Sequence, residues 1–261
     1  MLFPFLLIAF GIAWGIISLY IFLPEEMDAL FGPLSGTHPL FFLAVYAPAI
    51  SAFFLISKVS GLSGLKKYLR RALIWRTTLN WYLFLLIGVP LIFMAGAAIR
   101  GDLLFEQFES FSVLATVIIL AAIKGPVEEF GWRGFALPLL QRKFVPLWAA
   151  LILGTIWGVW HLPAFLLSGT QQSQWSFAAF FFGCLAISVI ATALFNQTGG
   201  SILLSAFFHF TLMNPIFPDA QPYDTYMLVV AAGFLVWRNK DAMLTSRESI
   251  VDIIPFENKN G

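Results

Sequence analysis

FSVLATVIILAAIKGPVEEFGWRGFALPLL, residues 111–140, is an apolar run long enough to cross a bilayer, yet ionisable residues interrupt its middle. An ionised side chain at the centre of a membrane helix costs roughly 2.5–3.5 kcal/mol on insertion scales, so Lys124, Glu128, Glu129 and Arg133 mark a site rather than decoration. Gly125-Pro126 breaks or kinks the helix just before the carboxylates, because proline has no N–H to donate and clashes with the preceding turn.

The rest of the chain has the same solvent. Hydrophobic residues make up 59% and charged ones 11%, with 29 Phe and a mean hydropathy of +0.85, against about 25% charged residues in an average soluble domain. A backbone crossing lipid must satisfy its own hydrogen bonds, so the apolar runs are read as helices near 2–23, 39–57, 80–98, 111–140, 146–167, 175–195, 201–215 and 223–237. The fold class is therefore all-α, a polytopic membrane protein of about eight transmembrane helices with its polar site inside the bundle. Residues 1–240 form one membrane domain and 241–261 a polar cytoplasmic tail, expected to be disordered. The first span has neither a basic n-region nor a small-residue cleavage site, and is read as a retained helix. A net charge of +1 is too small to suggest a nucleic-acid partner, and the lone Cys184 leaves no disulfide framework within the chain.

Lysine and arginine collect in alternate loops: Lys58 to Arg76, then Arg142 and Lys143, then Arg238, Lys240 and Arg247. The intervening loops carry Glu25, Glu26 and Asp28, then Asp102, Glu106 and Glu109, then Asp219 and Asp224, with Arg100 as the exception. The charge rule places the basic loops and both termini in the cytoplasm of a cell-membrane protein. Residues 58–76 read equally as an amphipathic helix on anionic headgroups or as a solvated basic loop.

Spacing separates the two acids. Glu129 and Arg133 stand at i and i+4 and can pair on one helix face, whereas Glu128 lies about 100° around the helix and points elsewhere. A poorly solvated carboxylate gains proton affinity, which suits a general base. His161 and His209 lie within apolar spans, while His38 is a loop residue beside Pro39. Each membrane histidine alone reads as a packing residue. Together with the paired acids they form a set able to activate water and stabilise an oxyanion.

Glu128-Glu129-x-x-x-Arg133, an aromatic residue four before His161, and His209 followed closely by Asn resemble the three signatures of the CAAX-protease and bacteriocin-processing family. The likeness covers roughly 120 to 220, within a core of about 111–220. It implies an intramembrane endopeptidase in which Glu128 activates water with His161, His209 and Asn214 bind the oxyanion, and Glu129 with Arg133 supports the site. Two positions depart from the pattern: Trp157 stands where the family has Phe, and Met213 stands four after His209 where the family has Asn. Asn214 would be turned by about 100° from the expected face unless a π-bulge or unwinding before Pro215 restores it.

Two mechanisms stay open. Glu128, His161 and His209 could supply a three-ligand zinc site, or Glu128 and His161 could activate water directly. Counted along straight helices, His161 and His209 sit at about 22 and 12 Å, so helix tilt is needed to bring them together. Gly154-x-x-x-Gly158 is read as a close-packing contact. The rival class is a non-catalytic membrane scaffold, an immunity factor, or a transporter relaying protons through its acids. The expected partners are membrane lipid and a membrane-embedded or lipid-modified peptide or protein substrate.

Overall fold

The computed structural model describes residues 1–101, 109–168, 170, 172–213 and 216–255, all in helices and connecting turns. Six helical stretches are long and apolar enough to cross a membrane. Of these, α1 is Leu2–Phe22, α2 begins at Pro39 and runs to Leu69, α3 is Leu79–Arg100 and α4 is Phe111–Gln141. Next, α5 is Pro146–Leu166 and α6 is Phe177–Gln197. Two shorter helices complete the bundle, α7 (Ile202–Leu212) and α8 (Tyr223–Arg238). The 21 residues of α1 extend about 31 Å, matching a hydrocarbon core of roughly 30 Å. By contrast the 11 residues of α7 reach only about 16 Å, too short to cross, so that stretch is a partial span rather than a full one.

The centre and the rim divide by burial. In α6 the hydrophobic window is 56% buried, whereas in α1 it is 28%; Phe3, Leu7 and Phe22 of α1 remain exposed and form a lipid-facing surface. Packing of α5 on α6 depends on two glycines. A Cβ on Gly154 would sit 3.0 Å from Cys184 O, and one on Gly158 would sit 2.7 Å from the Phe181 ring. The small-residue spacing therefore lets two backbones approach. Likewise α4 meets α2 at Gly131, where a Cβ would lie 2.4 Å from that of Pro48.

The kink in α4 falls where its sequence places it. Helix stops at Ile123, Lys124 takes φ −88° and ψ −92°, and helix resumes at Gly125 with Pro126 in the first turn. A π-helical turn, Trp132–Ala136, follows the carboxylates.

At the basic end the chain is more ordered than expected. Gly61 (φ 64°) breaks α2, and the turn beyond it directs Gly64, Tyr68 and Arg71 inward while Leu62 and Leu73 stay exposed. Residues 58–76 are thus not a free loop: helix continues to Leu69, and Tyr68 Oη donates to Phe130 O. Arg71 donates through Nε to Ile253 O at 3.1 Å and through Nη2 to Asp252 O at 2.7 Å. Gln141 Nε2 donates to Ile250 O and Arg142 Nε to Val251 O. Residues 250–254, expected within a disordered tail, are held against the bundle because those side chains need acceptors and find them in its carbonyls; residues 256–261 lie outside the described part.

Candidate active site

The kink of α4 delivers the acids to the interior. Glu128 and Glu129 are 4% and 1% exposed, and Arg133 is 1% exposed. Arg133 Nη1 donates to Glu129 Oε1 at 2.8 Å, along the helix face their spacing defines. The same oxygen accepts from His209 Nδ1 at 2.7 Å. A carboxylate oxygen only accepts here, so the His209 proton sits on Nδ1 and Nε2 is left for other work.

Glu128 turns the other way. Its Oε2 accepts from Trp132 Nε1 at 3.2 Å and from Trp157 Nε1 at 2.9 Å. Both donors are neutral, so the carboxylate is held in place without a cation beside it. It lines a cavity of about 290 Å³ together with His161 and His209, whereas Glu129 and Arg133 stand behind the wall.

Trp157 organises the remainder. Its indole lies under the Arg133 guanidinium at 4.9 Å, a cation–π arrangement. Both imidazoles meet the ring edge-on, His161 at 5.3 Å and His209 at 5.5 Å between centroids. The Trp157 carbonyl accepts from His161 Nδ1 at 2.8 Å. That fixes the His161 proton on Nδ1 as well, and among the described residues neither histidine Nε2 has a hydrogen-bond partner.

Gly125 makes the approach of α7 possible. A Cβ there would lie 2.5 Å from His209 Nε2 and 2.4 Å from Met213 Sδ. The depth mismatch expected from straight helices does not arise, since α7 is short, starts at the Ser201 cap and brings His209 directly to Glu129.

Of the residues singled out in the sequence, Glu128, Glu129, Arg133, His161 and His209 come together. Asn214 lies outside the described residues, and its neighbour Met213 lines the cavity. His38 caps α2, with Nδ1 accepting from Leu40 N and Nε2 donating to Phe31 O. The zinc-ligand set drawn from the sequence does not fit this arrangement. Among the described residues no group of three or more His, Cys, Asp or Glu is placed to hold a metal ion.

Sequence reasoning passed over three contributors. Trp132 stands four after Glu128, the same spacing that identified Arg133, so it was within reach of the same argument. Trp157 was legible as an aromatic residue, but its N–H donation across 29 residues was not. Gly125 was read only as a helix breaker.

The family model described as type II CAAX prenyl endopeptidase Rce1-like matches residues 110–213. The CAAX prenyl protease 2 of Methanococcus maripaludis is 25% identical over 232 residues, covering 79% of this chain and 85% of that protein. The matched segment contains Glu128, Glu129, Trp132, Arg133, Trp157, His161 and His209.

Proposed function

We propose that this chain, similar over residues 110–213 to the type II CAAX prenyl endopeptidase family model and to the CAAX prenyl protease 2 above, is a membrane-embedded peptidase with Glu128 as the general base of its peptide hydrolysis. In this reading a water in the cavity lies between Glu128 and His161. Glu128 takes a proton as the water oxygen attacks the scissile carbonyl carbon, and His161 Nε2, its Nδ1 proton committed to Trp157 O, accepts a hydrogen bond that orients the water. The carbonyl oxygen becomes an oxyanion facing His209. Glu129 holds His209 through Nδ1 and so aims the Nε2 edge of the ring at that oxyanion. As the C–N bond breaks, the proton held by Glu128 passes to the leaving nitrogen.

Glu129 and Arg133 position this apparatus and do not touch the substrate. Arg133 Nη1 and His209 Nδ1 share Glu129 Oε1, so the guanidinium fixes the carboxylate that in turn fixes the imidazole. Asn214 is assigned as a second oxyanion donor. No step is routed through a metal. The substrate is a membrane-associated peptide, lipid-modified or membrane-embedded; the Methanococcus maripaludis relative is called a CAAX prenyl protease.

One observation carries the proposal: Glu128, His161 and His209 line the same cavity while Glu129 and Arg133 stand behind it. The test is a search for new peptide termini in proteoliposomes containing host membrane proteins, comparing wild type with Glu128→Ala at matched folded protein. Termini that appear with wild type and vanish in the variant support the proposal. Indistinguishable samples, with an active relative cutting in the same assay, would reassign the chain as a non-catalytic member.

A further inference from the structure

The basic end of the bundle carries a surface found nowhere else on the described chain. Between Asp28 and Asp102 the sequence contains no Asp or Glu, yet residues 58–76 hold six lysines and arginines. From Pro39 to Ser60 α2 rises about 33 Å, enough to cross one hydrocarbon core, and the backbone leaves helical geometry at Gly61. The chain that follows Gly61 therefore lies at the level of the headgroups.

Three exposed tryptophans mark the same level. Trp75, Trp148 and Trp237 are 59%, 58% and 61% exposed, and each lies near an exposed base in the chain, Arg76, Lys143 and Arg238. Tryptophan together with Lys or Arg is what a helix presents where it meets the membrane interface. Contacts gather the three into one end of the molecule. Ser201 Oγ, between α6 and α7, donates to Ile74 O, and Gln197 at the end of α6 donates to Asn239, next to Arg238. Arg71 and Arg142 both reach residues 251–253, which lie across this end and close it.

Residues 62–73 have two faces. Gly64, Tyr68 and Arg71 turn inward; a Cβ on Gly64 would lie 3.2 Å from Ile254 Cδ1, and Arg71 donates to Asp252 O and Ile253 O. Leu62, Lys66, Leu69, Arg70 and Leu73 turn outward, with Leu62 and Leu73 79% and 73% exposed. Leucines interleaved with bases on one outer face are the pattern of a helix lying in the plane of the interface, not of a loop in water. Lys67 and Arg70 have further interactions within the protein. Lys58, Lys66 and Arg76 are exposed beside the leucines, and the Arg76 guanidinium lies over Trp75 at 5.5 Å.

From the unbalanced charge, the two-faced segment and the plane of tryptophans together, we propose that residues 58–76 form a binding shelf for anionic phospholipid. Lys58, Lys66 and Arg76 take the headgroup phosphates, while Leu62, Leu69, Leu73 and Trp75 sit among the first acyl carbons. Long basic side chains run along apolar surface and set their charge at phosphate depth. The acids at this end, Asp241, Glu248 and Asp252, all follow α8, and none is on the shelf itself. The shelf shares no residue with the cavity that Glu128 lines, so it stands whether or not the chain is a peptidase.

Lipid retention tests it. The full chain is reconstituted in phosphatidylcholine with a minority of phosphatidylglycerol, extracted in mild detergent, and its retained lipid is quantified. We expect wild type to hold phosphatidylglycerol about tenfold above its share of the mixture, and Lys58→Gln/Lys66→Gln/Arg76→Gln to hold about its share. Removing the same charge elsewhere at this end, in Arg238→Gln/Lys240→Gln/Arg247→Gln, should leave the enrichment within about twofold of wild type. Added phosphatidylglycerol should also raise the thermal unfolding midpoint of wild type and not that of the shelf variant. If the triple shelf variant does not fold, each single substitution should lower the enrichment about twofold. No enrichment in wild type, enrichment that survives the shelf substitutions, or equal loss in both triple variants overturns the proposal, the last by showing diffuse attraction to a charged end. Glycerol phosphate, a headgroup without chains, should not compete with the lipid; competition would show a site for soluble anions in which the leucines take no part, and overturns it as well.

Discussion

Two fully buried guanidiniums, Arg71 at the closed basic end and Arg133 behind the cavity, show how this protein uses charge in an apolar solvent. Arg71 spends its donors on carbonyl oxygens of Gly199, Gly200, Asp252 and Ile253 and ties three segments of chain together. Arg133 makes one hydrogen bond, to Glu129 Oε1, and stacks on Trp157, while its Nε and Nη2 find no partner. A saturated cation in a low-dielectric interior fastens the fold. An undersaturated one is retained because its charge acts on a neighbour, here the carboxylate that holds His209. The same division separates the acids: Glu129 is enclosed by two cationic or protonatable partners, and Glu128 by two neutral indoles at the edge of a cavity.

This contrast can be broken most severely at Glu128. Glu128→Gln keeps both indole donors in reach of an oxygen but removes the base. Turnover should fall by about 10²–10⁴ with the thermal unfolding midpoint little changed. Loss of folding instead would make Glu128 a fastening residue like Arg71.

Glu129→Ala should act on both stability and rate. It strands Arg133 without its single hydrogen-bond partner, and removing one member of a buried pair costs about 3–5 kcal/mol. Denaturant unfolding in detergent should show that loss, and the folded fraction should still turn over poorly because His209 has lost its acceptor. An unchanged midpoint would contradict the account of Arg133.

A smaller, sharper change is Trp157→Phe, which places the family's usual ring at this position. The ring under Arg133 remains but the 2.9 Å hydrogen bond to Glu128 is lost, a neutral donor worth about 1 kcal/mol. Turnover should drop about fivefold and the pH–rate profile should move, because the Glu128 carboxylate is less well held. A purely structural indole would leave that profile where it was.

Arg71→Ala should do least to the chemistry. The C-terminal segment should loosen, seen as faster proteolysis near residues 250–254, and stability should fall, while turnover per folded molecule stays within about twofold. A large loss of turnover at full folding would join the two ends of the molecule in a way their contacts do not suggest.

Much of the site was legible before any fold was known, and the residues show why. Glu129 and Arg133 are four apart on one helix, so geometry within a single element was enough. Gly125-Pro126 breaks a helix wherever it sits. The same local argument would have found Trp132, which was not taken up. Contacts over long separations were out of reach: His209 meets Glu129 across 80 residues, and no spacing rule encodes that. Polar composition likewise does not reveal that Arg71, Gln141 and Arg142 find acceptors at residues 250–253, within the segment read as a polar tail.

From its residues alone this protein is a multi-pass helical membrane protein with a broken, ionisable helix at its centre. Hydrophobic run length against bilayer thickness decides the first, and the conformational limits of glycine and proline decide the second. Tertiary structure decided which glutamate faces the cavity wall and which is enclosed behind it, which nitrogen of each histidine carries the proton, and which end of the bundle is sealed. Those outcomes depend on how closely helices approach at Gly125, Gly131 and Gly154, and such distances are set only when the helices pack.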